Sequence, residues 1–336
     1  MSNSLNERFK AFIAQLPSAE VIDDLDLPIE FDESKRADFL VENRKAVIEL
    51  KSLETDPEYK VHEELKNHEK REEYPLFYGE MEIEKVLKHL PDGEQIKEKL
   101  FYKLSRSIEQ SFREAEKQIA ATKEILSCPD SFGLLVLLNR DISVLSPELI
   151  SYRVSQLLTK TDDDGTFHYK NVTSVWFMVE NFSLKSGKGM KFLPSIVIDG
   201  PAAVDKPELT KILDILQSGW AAFNGVPLAT ADIRKITDSY FIPLSELEKA
   251  NEPLKPRHEI WRIQYRSRPY LRSLSDEDVL NHGARLIKLM APGFLKDGPK
   301  IPFDQMAQFM EGFTHFLEEV RFRGLDMKKM PKLDIA

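Results

Sequence analysis

Only one cysteine, Cys128, occurs in the 336 residues. A lone thiol excludes an intrachain disulfide and any zinc cage built from cysteines. Its place just before an apolar run predicts a buried thiol rather than a nucleophile. The seven histidines show no ligand spacing, and His62 and His68 fall in a polar stretch that reads as surface. No apolar run approaches the roughly 20 residues of a membrane helix. The N-terminal "MSNSLNERFKAFIAQLP" has no basic region followed by an apolar core, so it does not read as a secretory signal. Together these absences predict a protein of a reducing cytoplasm without a membrane partner.

Positive charge is in short supply too. The 47 basic residues against 56 acidic ones leave a net charge of −9, which argues against non-specific coating of nucleic acid. A local basic groove stays compatible with that balance, because salt screens charges beyond about 10 Å. "SLKSGKGMKF" (183–192) has a loose Gly-Lys pattern but lacks the strand and helix that frame a phosphate-binding loop. There is no Gly-x-Ser-x-Gly element, no dinucleotide fingerprint, no internal repeat and no low-complexity linker.

What the chain does contain is an alternation of helical and strand patterns. Helical spacing over residues 5–16 stops at Pro17. A long helix is expected around 95–126, with Ile108, Phe112, Ala115, Ile119 and Leu126 on one face. "SFGLLVLLN" reads as a strand buried on both faces. "SPELISYRVSQLL" reads as a helix capped by Ser146 with Pro147 at its first position. Two further strands are expected at "VTSVWFMVENFSL" and "FLPSIVIDG", and a mainly helical region with a strand-like insert, "HEIWRIQYR", from 207 onward. This order predicts an α/β or α+β fold with a mixed sheet. Composition around "DGPAAVDKPEL" puts a domain boundary near 205, giving domains 1–205 and 206–336.

The stretch "RADFLVENRKAVIELKSLE" (36–54) carries the most chemistry. With Asn43-Arg44 as a two-residue hairpin turn, Asp38 falls opposite Glu49, Leu40 opposite Val47 and Glu42 opposite Lys45. Alternation puts these on one face with Lys51, while Ala37, Phe39, Val41, Ala46, Ile48 and Leu50 form an apolar second face. Opposed carboxylates about 5 Å apart repel by on the order of 3 kcal/mol at an effective dielectric of 20. Either water and Lys51 relieve that repulsion on a solvated face, or a divalent cation does so between the carboxylates.

Two oppositely charged stretches complete the inventory. Segment 255–272, "KPRHEIWRIQYRSRPYLR", sets Lys255, Arg257, Arg262, Arg266, Arg268 and Arg272 against one acid, Glu259, with Trp261, Tyr265 and Tyr270 interleaved. It suits phosphate contacts and base stacking, or equally a basic edge paired with the protein's own acids. The excursion 54–84 has eleven acidic residues against four basic ones; it reads as a solvated face or, alternatively, as a lid over the basic segment.

The hairpin resembles the PD-(D/E)xK nuclease superfamily, which includes restriction endonucleases, Holliday-junction resolvases and Mrr-like enzymes. "ADFLV" and "VIELKSL" match its two motif strands, with Ala37 where many members have Pro. Asp38, Glu49 and Lys51 match the three signature positions. "SIEQSFREAEKQIAATKEIL" is similar to the helix after the motif, with Gln118 at its glutamine, and "SFGLLVLLN" to the next buried strand. The likeness covers roughly 5–160, with an acidic insertion at about 54–95. It implies a restriction-endonuclease-like core with helices on both faces and Mg²⁺-dependent hydrolysis of a phosphodiester, with Mn²⁺ able to substitute. Asp38, Glu49 and the Leu50 backbone carbonyl would hold the metal, Lys51 would assist the attacking water, and Gln118 would position substrate or simply face solvent. An extra acid from the first helix is common in the family; the candidates are Glu20 and Glu7. DNA is the expected substrate, in restriction, repair or defence, with a homodimer possible. The rivals are a catalytically silent module that binds nucleic acid or a protein partner, and a structural protein with a solvated hairpin.

Overall fold

The structure is a computed structural model that describes residues 4–26, 35–77, 81–185, 191–232, 240–245, 256–296 and 303–332. Lys255 lies outside them. In chain order the elements are α1 (Leu5–Ile13), β1 (Glu20–Val21), β2 (Phe39–Val41), β3 (Ala46–Leu53), α2 (Tyr59–Lys66), α3 (Ile83–Leu87), α4 (Gly93–Leu104), α5 (Arg106–Ile125), β4 (Phe132–Asn139), α6 (Pro147–Leu158), β5 (Ser174–Val179) and β6 (Phe182–Lys185). They continue with β7 (Lys191–Phe192), β8 (Ser195–Asp199), α7 (Pro207–Phe223), β9 (Tyr240–Pro243), α8 (Arg257–Ser267), α9 (Asp276–Lys296) and α10 (Phe303–Arg323). No helix among the described residues is long and apolar enough to cross a membrane.

The chain divides into two compact units, 1–59 with 102–250 and 60–101 with 251–336. The boundary expected near 205 therefore falls inside the first unit, in the turn before α7. The acidic excursion belongs largely to the second unit, and nine of its ten described acids are exposed, Glu64 alone being buried, as a solvated face requires.

In the first unit, a six-stranded mixed sheet runs β1-β2-β3-β4-β5-β8. The β3–β4 and β4–β5 pairs are parallel; the β1–β2, β2–β3 and β5–β8 pairs are antiparallel. The fold is thus mixed α/β. A separate three-stranded sheet runs β7-β6-β9, so "VTSVWFMVENFSL" feeds two sheets rather than forming one strand. Asn43 and Arg44 take left-handed backbone, φ 55° and 64°, and Glu42 before them does the same at 52°. The ladder Phe39↔Ile48, Leu40↔Val47, Val41↔Ala46 has the register expected from that turn.

Both faces of this sheet are covered. Leu40, Val47, Leu135 and Leu137 pack with Ile108, Phe112, Ala115 and Ile119 of α5 and Ile150 and Val154 of α6. Phe39, Val41, Ala46, Ile48, Leu50, Val136 and Trp176 pack with Phe9 and Phe12 of α1 and Ile212 and Leu216 of α7. The hairpin face carrying Asp38 and Glu49 is thus a second core face, not a solvated one. Ala37, expected opposite it, joins the α5–α6 side, because regular pairing ends at Phe39 and the Asp38 N–H bonds to the Ile48 carbonyl at 3.1 Å. Ser4 caps α1 in a reciprocal box with Glu7. Ser146 caps α6, its hydroxyl accepting from the Leu149 N–H. The long helix is two helices parted at Ser105. Cys128 is half-buried, not buried.

The second unit is helical. "HEIWRIQYR" lies in α8 and is not a strand. The alternation Trp261, Ile263, Tyr265 that suggests a strand is not one buried face, since Ile263 is 43% exposed. The helical i, i+4 neighbour of Trp261, Tyr265, is the buried residue, packed with Leu271, Val279, Phe316 and Val320. Its hydroxyl donates to Glu319 at 2.5 Å.

Candidate active site

The hairpin brings Asp38 and Glu49 together beside the carboxyl-terminal half of β3. The Asp38 carboxylate accepts the Leu50 backbone N–H at 2.7 Å, replacing the strand pairing that has ended. Glu49 is 1% exposed. Parallel β4 on one side and α5 across the face enclose it. Its Oε1 lies 2.9 Å from the Lys51 ammonium, whereas Oε2 is buried without a donor. Asp38 can hydrogen-bond to Glu49 only when one of the two carboxyls holds a proton.

Burial is the main reason the Glu49 carboxyl is pushed up to about 8, with the Asp38 charge adding to it. Asp38 is raised as well, by burial, against the opposing pull of the Leu50 N–H and the Lys10 charge. The Lys51 ammonium is raised overall: burial opposes its charge, but hydrogen bonds to Glu49 and Glu114 outweigh burial. Its three hydrogens have three acceptors, Glu49, Glu114 at 3.0 Å and the Gln118 Oε1 at 3.0 Å.

Gln118 also donates to the Arg36 carbonyl at 2.8 Å. It therefore ties α5 to both motif strands instead of facing solvent. Glu114, one turn earlier on α5, is an acid that the sequence reading passed over. The Gln110, Glu114, Gln118 spacing marks a polar stripe beside the apolar one and could have exposed it. Gln110 donates to Glu114 at 3.0 Å, and that bond, with the Lys51 contact, holds the Glu114 carboxyl below its ordinary range.

Glu20 is not part of this cluster. Its carboxylate clamps Arg44 at the hairpin turn with bonds of 2.9 and 2.7 Å. Glu7 is occupied at the α1 cap. Leu50 takes part through its N–H.

The arginine segment has a different setting. Arg266 pairs with Glu318 at 2.6 Å and Arg262 approaches the same carboxylate at 3.9 Å. Arg272 lies 3.5 Å from Glu319 and stacks over Phe322 at 3.8 Å. These three thus face the protein's own acids, as the second reading of that stretch expects. Arg257 and Arg268 are exposed.

The site offers an oxygen donor set. The buried Glu49, with one oxygen lacking any donor, and the half-buried Asp38 suit a hard divalent cation, which takes one or two carboxylates and completes its shell with water and phosphate oxygens. Among the described residues no group of three or more His, Cys, Asp or Glu is arranged to hold a metal. Comparisons with protein-family models, with curated proteins and with solved structures find no match to the chain.

Proposed function

We propose that the chain is a metal-dependent nuclease of the PD-(D/E)xK type, hydrolysing phosphodiester bonds in DNA. The observation that carries this reading is the convergence of Asp38, Glu49 and Lys51, with a Glu49 oxygen buried and lacking any donor. A solvated structural hairpin has no reason to bury Glu49 beside the half-buried Asp38, since opposed like charges destabilise a strand pair.

Asp38 and Glu49 would hold Mg²⁺, or Mn²⁺ in its place, with the backbone carbonyl of Leu50 as the resemblance implies. The cation would polarise a phosphoryl oxygen and lower the pKa of a bound water. In the hydrolysis, a water oxygen bonds to phosphorus, the ester P–O bond breaks, and a proton reaches the departing alkoxide. Lys51 supplies a fixed positive charge where the phosphorane develops negative charge. Of its three hydrogen bonds, the one to Glu49 is the one that can be exchanged for a substrate oxygen, because Glu114 and Gln118 hold the ammonium from the α5 side. Gln118 acts as a positioning residue for Lys51.

The test is cleavage of supercoiled plasmid and single-stranded DNA with Mg²⁺ or Mn²⁺, comparing wild type with Asp38→Asn. The substituted amide keeps an oxygen for the Leu50 N–H, so the fold is expected to survive while cleavage falls by at least 100-fold. Metal-dependent cutting that persists in the variant would sink the assignment. The absence of both cutting and calorimetric Mn²⁺ binding would leave the catalytically silent module.

A further inference from the structure

Two lysines that the hydrolytic chemistry does not use bear on this cluster, Lys10 on Asp38 and Lys35 on Glu114. Lys10 lies one helical turn after Asn6 on α1, and such i, i+4 residues share a helix face. Asn6 donates to the Ser52 hydroxyl at 3.0 Å, which sets that face beside the Lys51 end of β3. The Lys10 charge acts on Asp38 ahead of the Lys51 charge. Lys35 adjoins Arg36, whose carbonyl is bound by Gln118, and its charge acts on Glu114. Both side chains are exposed. Neither makes an ion pair or side-chain hydrogen bond among the described residues. In this they differ from Arg262, Arg266 and Arg272, which face Glu318 and Glu319.

We infer that Lys10 and Lys35 form the phosphate track that holds duplex DNA across the candidate active site, in place of the arginine segment 255–272. The inference rests on the nuclease reading for its substrate class. Two exposed ammonium groups, one on α1 and one in the loop before β2, offset the repulsion a polyanion would meet at the acidic cluster. Ammonium groups make sequence-independent backbone contacts, and each such contact releases counterions, adding about 0.9 to the slope of log K against log salt on B-form DNA.

The experiment measures binding of a fluorescein-labelled duplex over a range of KCl concentrations, in the Asp38→Asn background so that the probe stays whole. Lys10→Ala with Lys35→Ala is compared with Lys160→Ala with Lys206→Ala. The control pair removes the same charge at the other end of the sheet, where α6 ends and α7 begins. The salt slope is expected to become shallower by about 1.8 in the first pair and to stay unchanged in the second. Lys10→Gln with Lys35→Gln repeats the test with more conservative side chains. Equal slopes in all the proteins, or a loss that the control pair reproduces, would overturn the inference. So would binding of the probe lost only on Arg257→Ala with Arg268→Ala. Failure of the nuclease reading looks different: wild type would leave plasmid uncut with Mg²⁺, while the lysine-dependent slope could still be present.

Discussion

Glu49 combines near-complete burial, one hydrogen-bonded oxygen and one without a donor, so its proton couples site chemistry to stability. Its folded pKa of about 8 stands above the ordinary carboxyl value of 4.5. The folded state therefore binds more protons than the unfolded chain between those values, and stability falls as pH rises through that window. The contribution is fully present below about pH 4.5 and gone above about pH 8. Urea unfolding is expected to show a loss on the order of 3 kcal/mol between pH 5 and pH 8, with Asp38 acting in the same direction. Glu49→Gln should flatten that slope, and an unchanged slope would mean that the proton resides elsewhere. Mg²⁺ that binds only the folded chain should restore stability at pH 8, by about 2.7 kcal/mol at a hundredfold excess over its Kd. Lys51→Ala should abolish cleavage and also cost about 1–3 kcal/mol, because Glu49 loses its cation. Asp38, Glu49 and Lys51 were legible in the sequence, since strand alternation and one turn fix their register. Glu114 was not, because its role depends on how α5 is rotated over β3. Glu20 misled for a related reason: the resemblance asks for an extra acid near the first helix, and Glu20, just after it, instead serves the turn end of the hairpin through Arg44.

At the level of elements, close approach decides what can change. A side-chain carbon at Gly133 in β4 would stand 1.8 Å from the Asn171 carbonyl oxygen and 2.9 Å from an Ile119 methyl. The 171–173 segment crosses there, held by Glu116 of α5, which accepts from the Asn171 and Val172 N–H groups. Gly133→Ala should cost about 2–4 kcal/mol in denaturant unfolding. Gly312 in α10 meets only ordinary contacts, the nearest at 3.6 Å. Gly312→Ala should be neutral or up to about 1 kcal/mol stabilising, since alanine is the better helix former. Equal effects at the two positions would count against the packing described. Elements with two independent signals were readable: α6 has a cap and a proline, and β4 has a continuous apolar run. The break at Ser105 had no such marker. Segment 257–267 was misread because Trp261, Ile263 and Tyr265 alternate although Ile263 is exposed, while the residue that anchors it, Tyr265, also follows helical spacing from Trp261.

For the molecule as a whole, the buried apolar clusters follow the division of the chain into two units. Every buried residue of the two sheet-facing clusters lies in 1–59 or 102–250, and the third cluster lies wholly in the other unit. Residues 1–59 joined through a flexible Gly/Ser linker to 102–250 should therefore unfold cooperatively in urea. A gradual transition with strong binding of an apolar dye would show instead that the sheet needs the second unit. Composition could not reveal this division, because the interruption sits between β3 and α5 and carries no linker-like sequence. Its consequence belongs to the order in which the chain is made. Synthesis runs from the N-terminus, and domains tend to fold as they emerge. Strands β3 to β8 and both covering helical layers are complete once residue 250 has left the ribosome. Residues 60–101 must by then have been looped out, with their packing partners still untranslated. A chain cut short after residue 250 would carry the whole candidate active site and, within it, an orphaned apolar surface, the kind of species that chaperones and proteases select.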